Sequence, residues 1–578
     1  MRIAAVHAHG FRNLDGRFPL ASPLSVFVGE NNAGKSNVID ACRLLFQPEA
    51  GPRARPWITA EDFVHDGVGN RLTDTFDLEA ELVDLDEREQ ARLVTCLAPS
   101  LGPGRARLRL HARLRSDGRV DTDWVGGDSD HPDLERWARD AITFTYLHPL
   151  RDAARDLRPG RDNRLIALLG SLAPEGDADR ALIEKIAEDA NEALAQVGAL
   201  QSAKSRIQDR LDGLTGRGKL GQRTDLAFAE PQFARVVAAL RALAGSVSPL
   251  EIGENGLGYN NLLYMAVLLS ALAEETDAEL RLLLVEEPEA HLHPQLQDLL
   301  MRYLENTGQD GTQVIVTSHS PNFASAARVE RMTVMARPSH DGTVVARTPA
   351  EFDLSAVQLG HLRRFLDVTK SSLLFARGVI LVEGIAEQLL VPALASCMGR
   401  PLSRSGVAVI NIGGVAFPPF AKLFGPEKLP FHCAIVSDAD PSDSTEDEAS
   451  GSDPGLSPRA AALLDHTSDS VLVTLASRTL EWDLVAAGNW DACLRALASV
   501  KPRVAEALAE EHAGSADDQR ADALLLKVSD VKGRFAQELV AVVEAGADVI
   551  VPEYLVDAIR WVTPDQDPEG ATDSDGDG

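Results

Sequence analysis

Cysteine is scarce and scattered. Cys42, Cys96, Cys397, Cys433 and Cys493 are odd in number and include no C-x-x-C pair, which excludes both a disulfide framework and a zinc site of paired cysteines. Long apolar runs are absent too: none reaches the roughly 18 residues a membrane-spanning helix needs, and the N-terminus lacks an apolar h-region with a cleavage site. The expectation is a cytoplasmic protein without membrane contact. Basic residues are outnumbered, with 57 Lys and Arg against 87 Asp and Glu, a formal charge of −30. That balance argues against tight nonspecific binding to nucleic acid, where phosphate charge dominates affinity. It does not exclude a basic cleft on an acidic molecule. Part of the excess lies in SDADPSDSTEDEASGSDPG (437–455) and the tail 563–578, which hold almost no apolar residues and read as unfolded.

A chain of 578 residues exceeds what one core supports, so at least two domains are expected. The first opens with an apolar strand, Leu24 to Val28, that runs into Gly29-x-x-x-x-Gly34-Lys35-Ser36 and then a helix predicted from Asn37 to Phe46. A glycine-rich turn at a helix N-terminus aims several backbone N–H groups at one point. Lys35 would reach the outer phosphates of ATP and the Ser36 hydroxyl would hold Mg2+, with Asn31, Asn32 and Asn37 completing the loop. Later, ELRLLLVEEPEAHLHPQ holds a strand (Leu282 to Val285) ending in Glu286 and Glu287. This ending resembles a Walker B motif with Glu in place of the usual Asp, which implies that the first acid binds Mg2+ through water and the second orients or deprotonates the attacking water. Thirty-two residues beyond Glu287, the strand of TQVIVTSHSP ends near His319. The form GENNAGKSN resembles the ATPase heads of the ABC superfamily of the SMC/RecF type. In that resemblance Glu286 and Glu287 stand at Walker B and His319 at the switch histidine that senses the γ-phosphate. The signature motif is replaced by GENGLGYNNLLYMAVLL, with Gly256, Gly258, Asn260 and Asn261, and no glutamine stands for the Q-loop. ATP is therefore expected to act as a regulatory ligand rather than as fuel.

Between these motifs, residues 74–84 alternate apolar with acidic and residues 105–115 alternate apolar with basic. Cross-strand ion pairs explain both faces better than a DNA-facing stripe of Arg105, Arg107, Arg109, Arg113 and Arg115 does. A second basic cluster, Arg151, Arg155, Arg158, Arg161 and Arg164, fits a nucleotide or DNA path or a solvated helix face. Over 178–214 the apolar positions Leu182, Ile186, Leu194, Val197, Leu200, Ile207, Leu211 and Leu214 recur at helical spacing. This insertion, about 160–230, is expected to be a dimerisation arm, with packing on its own domain as the alternative.

The remaining chemistry is carboxylate. VILVEGIAE is an apolar strand ending at Glu383, with Glu387 four residues on, projected onto the same helix face. CAIVSDADP ends in Asp438 and Asp440, pointing to one side of an extended chain. One strand ending in Glu and a later one in Asp-x-Asp resembles a Toprim domain, which implies Mg2+-dependent cutting or joining of nucleic acid. With the EEPEAHLHP segment, the stretches LRRFLDVTKSSLLFARGVILVEG and VINIGGVAFPPF resemble the OLD (overcoming lysogenisation defect) family of ATPase/Toprim nucleases over nearly the whole chain. That resemblance implies Glu481, in TLEWDL, as a further metal ligand. It also makes Lys532, in DVKGRFAQEL, the residue that stabilises charge at the scissile phosphate, and Glu383 a possible general base. Both motifs together look like class 2, the branch that includes the nuclease subunit of Gabija-type anti-phage systems, so a UvrD-type helicase partner is implied.

The expected fold is α/β: an ABC-type head (1–350) with a helical insertion, a linker helix (351–370), a Toprim domain (371–562) and an acidic tail (563–578). The expected activity is a DNA endonuclease with two Mg2+ or Mn2+ ions held by Glu383, Glu387, Asp438, Asp440 and Glu481. It would act as a homodimer or higher homo-oligomer. The rivals are a repair ATPase or nucleotide-sensing platform with an inert Toprim domain. A topoisomerase fits poorly, with only Tyr146, Tyr259, Tyr264, Tyr303 and Tyr554 as nucleophiles and no further DNA-gate domain.

Overall fold

The computed structural model describes the chain apart from residues 47–57, 67–68, 132–133, 135, 149–164, 216–222, 224, 227–229, 241–242, 245–249, 252–255, 274–277, 309–310, 338–343, 414–416, 440–455 and 565–578. Strands β1 (Arg2–Phe11), β2 (Leu14–Pro19), β4 (Thr75–Val83), β5 (Ala106–Leu114) and β6 (Val120–Gly126) form an antiparallel sheet in the order β2-β1-β4-β5-β6. Its alternation has the expected cause. Phe76, Leu78, Ala80 and Leu82 face the core with Leu108, Leu110 and Ala112, while Arg105 meets Glu81 and Arg107 meets Glu79, each at 2.9 Å. The arginine face is thus occupied by its neighbour strand.

The second sheet of the head carries the nucleotide motifs. β3 (Leu24–Gly29), β7 (Ile142–Leu147), β10 (Leu280–Glu286), β11 (Thr312–Thr317), β12 (Met332–Ala336) and β13 (Val345–Arg347) lie in the order β13-β12-β3-β11-β10-β7, all parallel except the β13 edge. A two-residue pair, β8 (Leu243–Ala244) and β9 (Leu250–Glu251), stands apart. Within the insertion, the periodic stretch is two helices, Ala178–Ala195 and Gly198–Thr215. Leu182, Ile186, Val197, Ile207 and Leu214 are exposed. These five of the stripe's eight positions are not absorbed into a core among the described residues, while Leu194, Leu200 and Leu211 are half-buried.

Helix Ala356–Phe365 and the short 3₁₀ helix Ser371–Phe375 lead into a third, fully parallel sheet. It comprises β14 (Gly378–Val382), β15 (Val407–Asn411), β16 (His432–Asp438) and β17 (Val471–Ala476) in the order β15-β14-β16-β17. Strand periodicity splits its faces. Val379, Leu381, Cys433 and Ile435 join a core that runs without a break through Leu362, Leu366, Leu373 and Leu374 to Val26, Val28, Val314 and Val316 of the head. Ile380, Val382, Ala434 and Val436 pack instead under the C-terminal helices, with Phe535, Leu539, Leu555 and Ile559. The five cysteines are all free. Among the described residues no helix is long and apolar enough to cross a membrane.

Candidate functional site

In the head, the helix after the glycine-rich turn starts at Lys35, two residues earlier than expected, with Gly34 before it at φ 83°. Gly29 has φ 144°, and a Cβ there would lie 2.2 Å from the Met335 carbonyl oxygen, so only glycine lets β3 turn beside β12. Lys35 is buried and its ammonium donates to the carbonyls of Gly29 and Glu30, both at 2.7 Å. Burial draws its pKa down to about 8, against the opposing pull of Glu287, Glu30 and Glu289. Asn31, Asn32 and Ser36 are exposed at the mouth of the turn. Asn37 differs from expectation: its side chain donates to Asn13 and accepts from Arg12, each at 2.7 Å, tying the helix to the β1–β2 turn.

Glu286 ends β10, and the Tyr146 hydroxyl donates to it at 3.2 Å. Burial, reinforced by Asp40, lifts the Glu286 pKa to about 7. Glu287 follows in the left-handed region, φ 42°, a conformation that side chains other than glycine rarely adopt outside functional turns. Its carboxylate lies 3.3 Å from His319 Nε2. Glu289 holds that histidine in place: its Oε1 accepts from Ser318 Oγ at 2.7 Å and from the His319 N–H at 2.8 Å. The glycine and the asparagines in the first turn and a half of the long helix Leu257–Ala273 pack on this same loop. A Cβ on Gly258 would meet the His291 carbonyl oxygen at 2.6 Å, and Asn260 and Asn261 are buried. The glycine cradle, the buried ammonium and the acid pair at the carboxyl ends of parallel strands fit a nucleoside triphosphate with a hard cation.

The second cluster sits at the carboxyl ends of β14, β16 and β17. Glu383 follows the last residue of β14 and Asp438 is the last residue of the adjacent β16, while Glu387 occupies the first turn of helix Ile385–Cys397. Glu383 precedes the helix, so the strand end, rather than a shared helix face, brings it near Glu387. Its Oε1 accepts from Ser437 Oγ and from the Asp438 N–H at 3.3 Å, and Arg459 approaches to 3.2 Å. Glu481, in helix Leu480–Ala486 after β17, is 1 % exposed. Its ion pair is with Lys532 Nζ at 3.1 Å, yet neither carboxylate oxygen receives an aligned hydrogen bond among the described residues.

Electrostatics couples this group. Burial, with Glu383 and Glu387 adding like charge, pushes Asp438 up to about 8. Burial also raises Glu387, with Glu481 and Glu383 adding to the shift and Lys532 opposing it. Four acids against Lys532 and Arg459 leave a surplus of acidic groups, and carboxylate donors suit a hard divalent cation. As the side chains stand, no three metal-ligating groups converge on one point among the described residues. Asp440 and the Arg151–Arg164 cluster lie outside those residues. Asp483, near Glu481 in sequence, does a different job, accepting from the Ser477 N–H at 2.7 Å to close the loop. Lys532 opens helix Lys532–Glu544, and a Cβ on the following Gly533 would come within 3.1 Å of Ile385. Glycine there lets the lysine-bearing helix approach the one that carries Glu387.

Several residues of these sites escaped the sequence reading. Glu289 lies inside the quoted EEPEAHLHP and carried no separate signal. Tyr146, Ser437, Arg459 and the pair Glu30–Arg377, 2.7 Å apart and 347 positions distant, become visible only when the strands are aligned.

Residues 24–325 match the family model described as "AAA domain, putative AbiEii toxin, Type IV TA system". Residues 374–440 match that of the Toprim domain of overcoming lysogenization defect protein-like chains. The OLD nuclease of Thermus scotoductus is 25% identical over 68% of this chain and 74% of its own length. The Old nuclease of Escherichia phage P2 is 24% identical over 72% and 73%. Endonuclease GajA of Bacillus cereus is 24% identical over 33% of this chain and 32% of its own. With the AAA-domain match across half its length, the chain belongs to the family of this AAA domain, and its segment 374–440 is similar to the Toprim domain of OLD-like proteins.

Proposed function

We propose that the chain is a metal-dependent DNA endonuclease under nucleotide control, with its cutting centre at Glu383, Glu387, Asp438, Asp440, Glu481 and Lys532. The observation that carries this reading is the surplus of carboxylate at the ends of β14, β16 and β17 with Lys532 and Arg459 beside it. The names of the relatives, nuclease and endonuclease, agree with it. Two Mg2+ or Mn2+ ions held by the five acids would supply the Lewis acidity and the activated water that phosphodiester hydrolysis requires. Lys532 sets a positive charge against Glu481, where charge builds on the scissile phosphate. Glu383, in contact with Ser437 and Arg459, would accept a proton.

In the head, ATP with Mg2+ would be held by Gly29, Asn31, Asn32, Gly34, Lys35, Ser36 and Glu286, with Asn37 bracing the helix behind the loop. Glu287 and His319 would face the γ-phosphate. Nucleotide control has a physical route. Arg377 pairs with Glu30 of the glycine-rich turn and directly precedes β14, and Ser371 Oγ donates at 2.9 Å to the Pro321 carbonyl, two residues past His319. A phosphate that draws Lys35 off the Gly29 and Glu30 carbonyls disturbs the turn that Arg377 reads, and β14 ends next to Glu383. We place the chain in class 2, in anti-phage defence as a homodimer or higher oligomer beside a UvrD-type helicase.

The test is supercoiled-plasmid cleavage in Mg2+ or Mn2+, with and without ATP, alongside Glu383→Ala and Lys532→Ala. Metal-dependent nicking or linearisation lost in both variants supports the reading. No cleavage in any condition, with a co-expressed helicase included, overturns it in favour of a nucleotide-sensing platform.

A further inference from the structure

A cavity of about 320 Å³ opens beside the Toprim acids, between the segment that links the two domains and the end of edge strand β15. Its walls carry Phe365, Thr369, Lys370, Gln388, Asn411 and Gly413. Two of these fix its position relative to the acids. Gln388 directly follows Glu387 in helix Ile385–Cys397, and Asn411 pairs in register with Val382, the residue before Glu383. The cavity thus neighbours the cluster at the carboxyl edge of the parallel sheet, where α/β folds hold their ligands.

The lining has a definite chemistry. Phe365 is 39% exposed, and His361 stacks on one face of its ring at 4.3 Å and 17°, which leaves the opposite face for a ligand. An aromatic platform of this kind takes a flat ring on its face, and base–aromatic stacking tolerates any base. Gln388 and Asn411 add amides, which pair with base edges. The backbone N–H of Gly413 fixes Asn411 by donating to its Oδ1 at 2.9 Å. Thr369 supplies a hydroxyl and Lys370 an ammonium, the latter held by Asp367 at 2.6 Å. A flat ring, polar edges and a phosphate are together a nucleotide. A base still stacked in a duplex cannot lay its face on Phe365 inside a cavity of this volume, whereas an unstacked one can.

We propose that this cavity receives one unpaired nucleotide of the strand being cut, stacked on Phe365 and read at its edge by Gln388 and Asn411. This deepens the nuclease reading and rests on it for the word "cut". It makes single-stranded or locally opened DNA the preferred substrate of an otherwise acidic protein, because stacking supplies affinity that net charge withholds.

The experiment uses the full chain in EDTA, so that binding is read without cleavage, and single-stranded oligonucleotides carrying 2-aminopurine. The wild type should quench 2-aminopurine fluorescence at least twofold on binding. Phe365→Ala should abolish the quench and weaken single-strand binding about tenfold, Phe365→Trp should retain both, and anisotropy with a fully paired duplex should be alike for all three. Asn411→Ala, which leaves the platform intact, should weaken binding with the quench preserved, and covers the case in which Phe365→Ala fails to fold. An absent quench, or an equal quench and affinity in wild type and Phe365→Ala, overturns the proposal. Quenching of free 2-aminopurine nucleotide but of no oligonucleotide overturns the assignment to the strand. If the plasmid is never cut yet the Phe365-dependent quench is present, the nuclease reading fails and the nucleotide cavity stands.

Discussion

Glu481 is the residue on which the Toprim cluster balances. It is buried with its charge set against Lys532, and removing one partner of such a pair leaves a charge that neither water nor protein satisfies. Lys532→Met should therefore abolish cutting and, with no metal present, destabilise the chain by about 2 kcal/mol. That is below the 3–5 kcal/mol of a fully buried pair because the Lys532 side chain is 39% exposed. Chemical denaturation of Lys532→Met beside the double variant with Glu481→Gln separates the two effects. The double variant should recover stability without recovering activity, and equal stability of both variants would mean that the lysine does not balance Glu481. Lys35 gives a pH dependence with a fixed sign. Burial sets its pKa near 8, so the ammonium that should meet phosphate is present below that value and lost as pH rises through it. Binding of a fluorescent ATP analogue should weaken from pH 7 to 9.5 in the wild type. Lys35→Arg, charged throughout, should hold its affinity constant over that range. A wild-type profile as flat as that of the variant would show that Lys35 does not govern phosphate binding.

The elements that hold both sites were the easiest part to foresee, and the reason is local. β3, β10, β11, β14 and β16 are buried on both faces and read as apolar runs, and each run ends in its chemistry, at Gly29, Glu286, His319, Glu383 and Asp438. The arginine strand was readable for a similar reason, since its acidic partner strand is itself a period-two pattern. Contacts between distant segments had no such signature. Nothing in GENNAGKSN marks Glu30 as an inter-domain residue, and nothing in LLFARGVILVEG marks Arg377 as its partner. Asn260 and Asn261, in the stretch that stands for the signature motif, are buried; burial depends on which helix covers them, which spacing does not show. The Glu30–Arg377 pair carries the prediction at this scale. Arg377→Glu should alter stability by no more than about 0.5 kcal/mol, since its side chain is 66% exposed. It should nonetheless leave the plasmid-cutting rate insensitive to ATP while Lys35 still binds nucleotide. Adding Glu30→Arg should restore the response by re-forming the pair with its charges exchanged. An ATP response in Arg377→Glu equal to that of the wild type would remove this route.

The whole molecule has a net formal charge of −30, and among the described residues the arm leaves Leu182, Ile186, Val197, Ile207 and Leu214 exposed. These two facts oppose each other in any self-assembly. Like charge repels two copies at long range, within a screening length of about 8 Å at physiological salt, while exposed leucine and isoleucine on Ala178–Ala195 and Gly198–Thr215 favour contact at short range. Leu214, 84% exposed, and Ile186, 58% exposed, contribute most where the chain alone gives them least cover. Association through this arm should therefore tighten as salt rises, the reverse of an interface held by ion pairs. Sedimentation velocity at two salt concentrations reads that sign directly. The wild type should shift towards the larger species at the higher concentration, and Ile186→Glu with Leu214→Glu should shift it towards monomer at both, with the melting temperature unchanged because neither side chain is in the core. Assembly that loosens with salt, or that survives both substitutions, would place the contact elsewhere and leave the exposed stripe to some other partner.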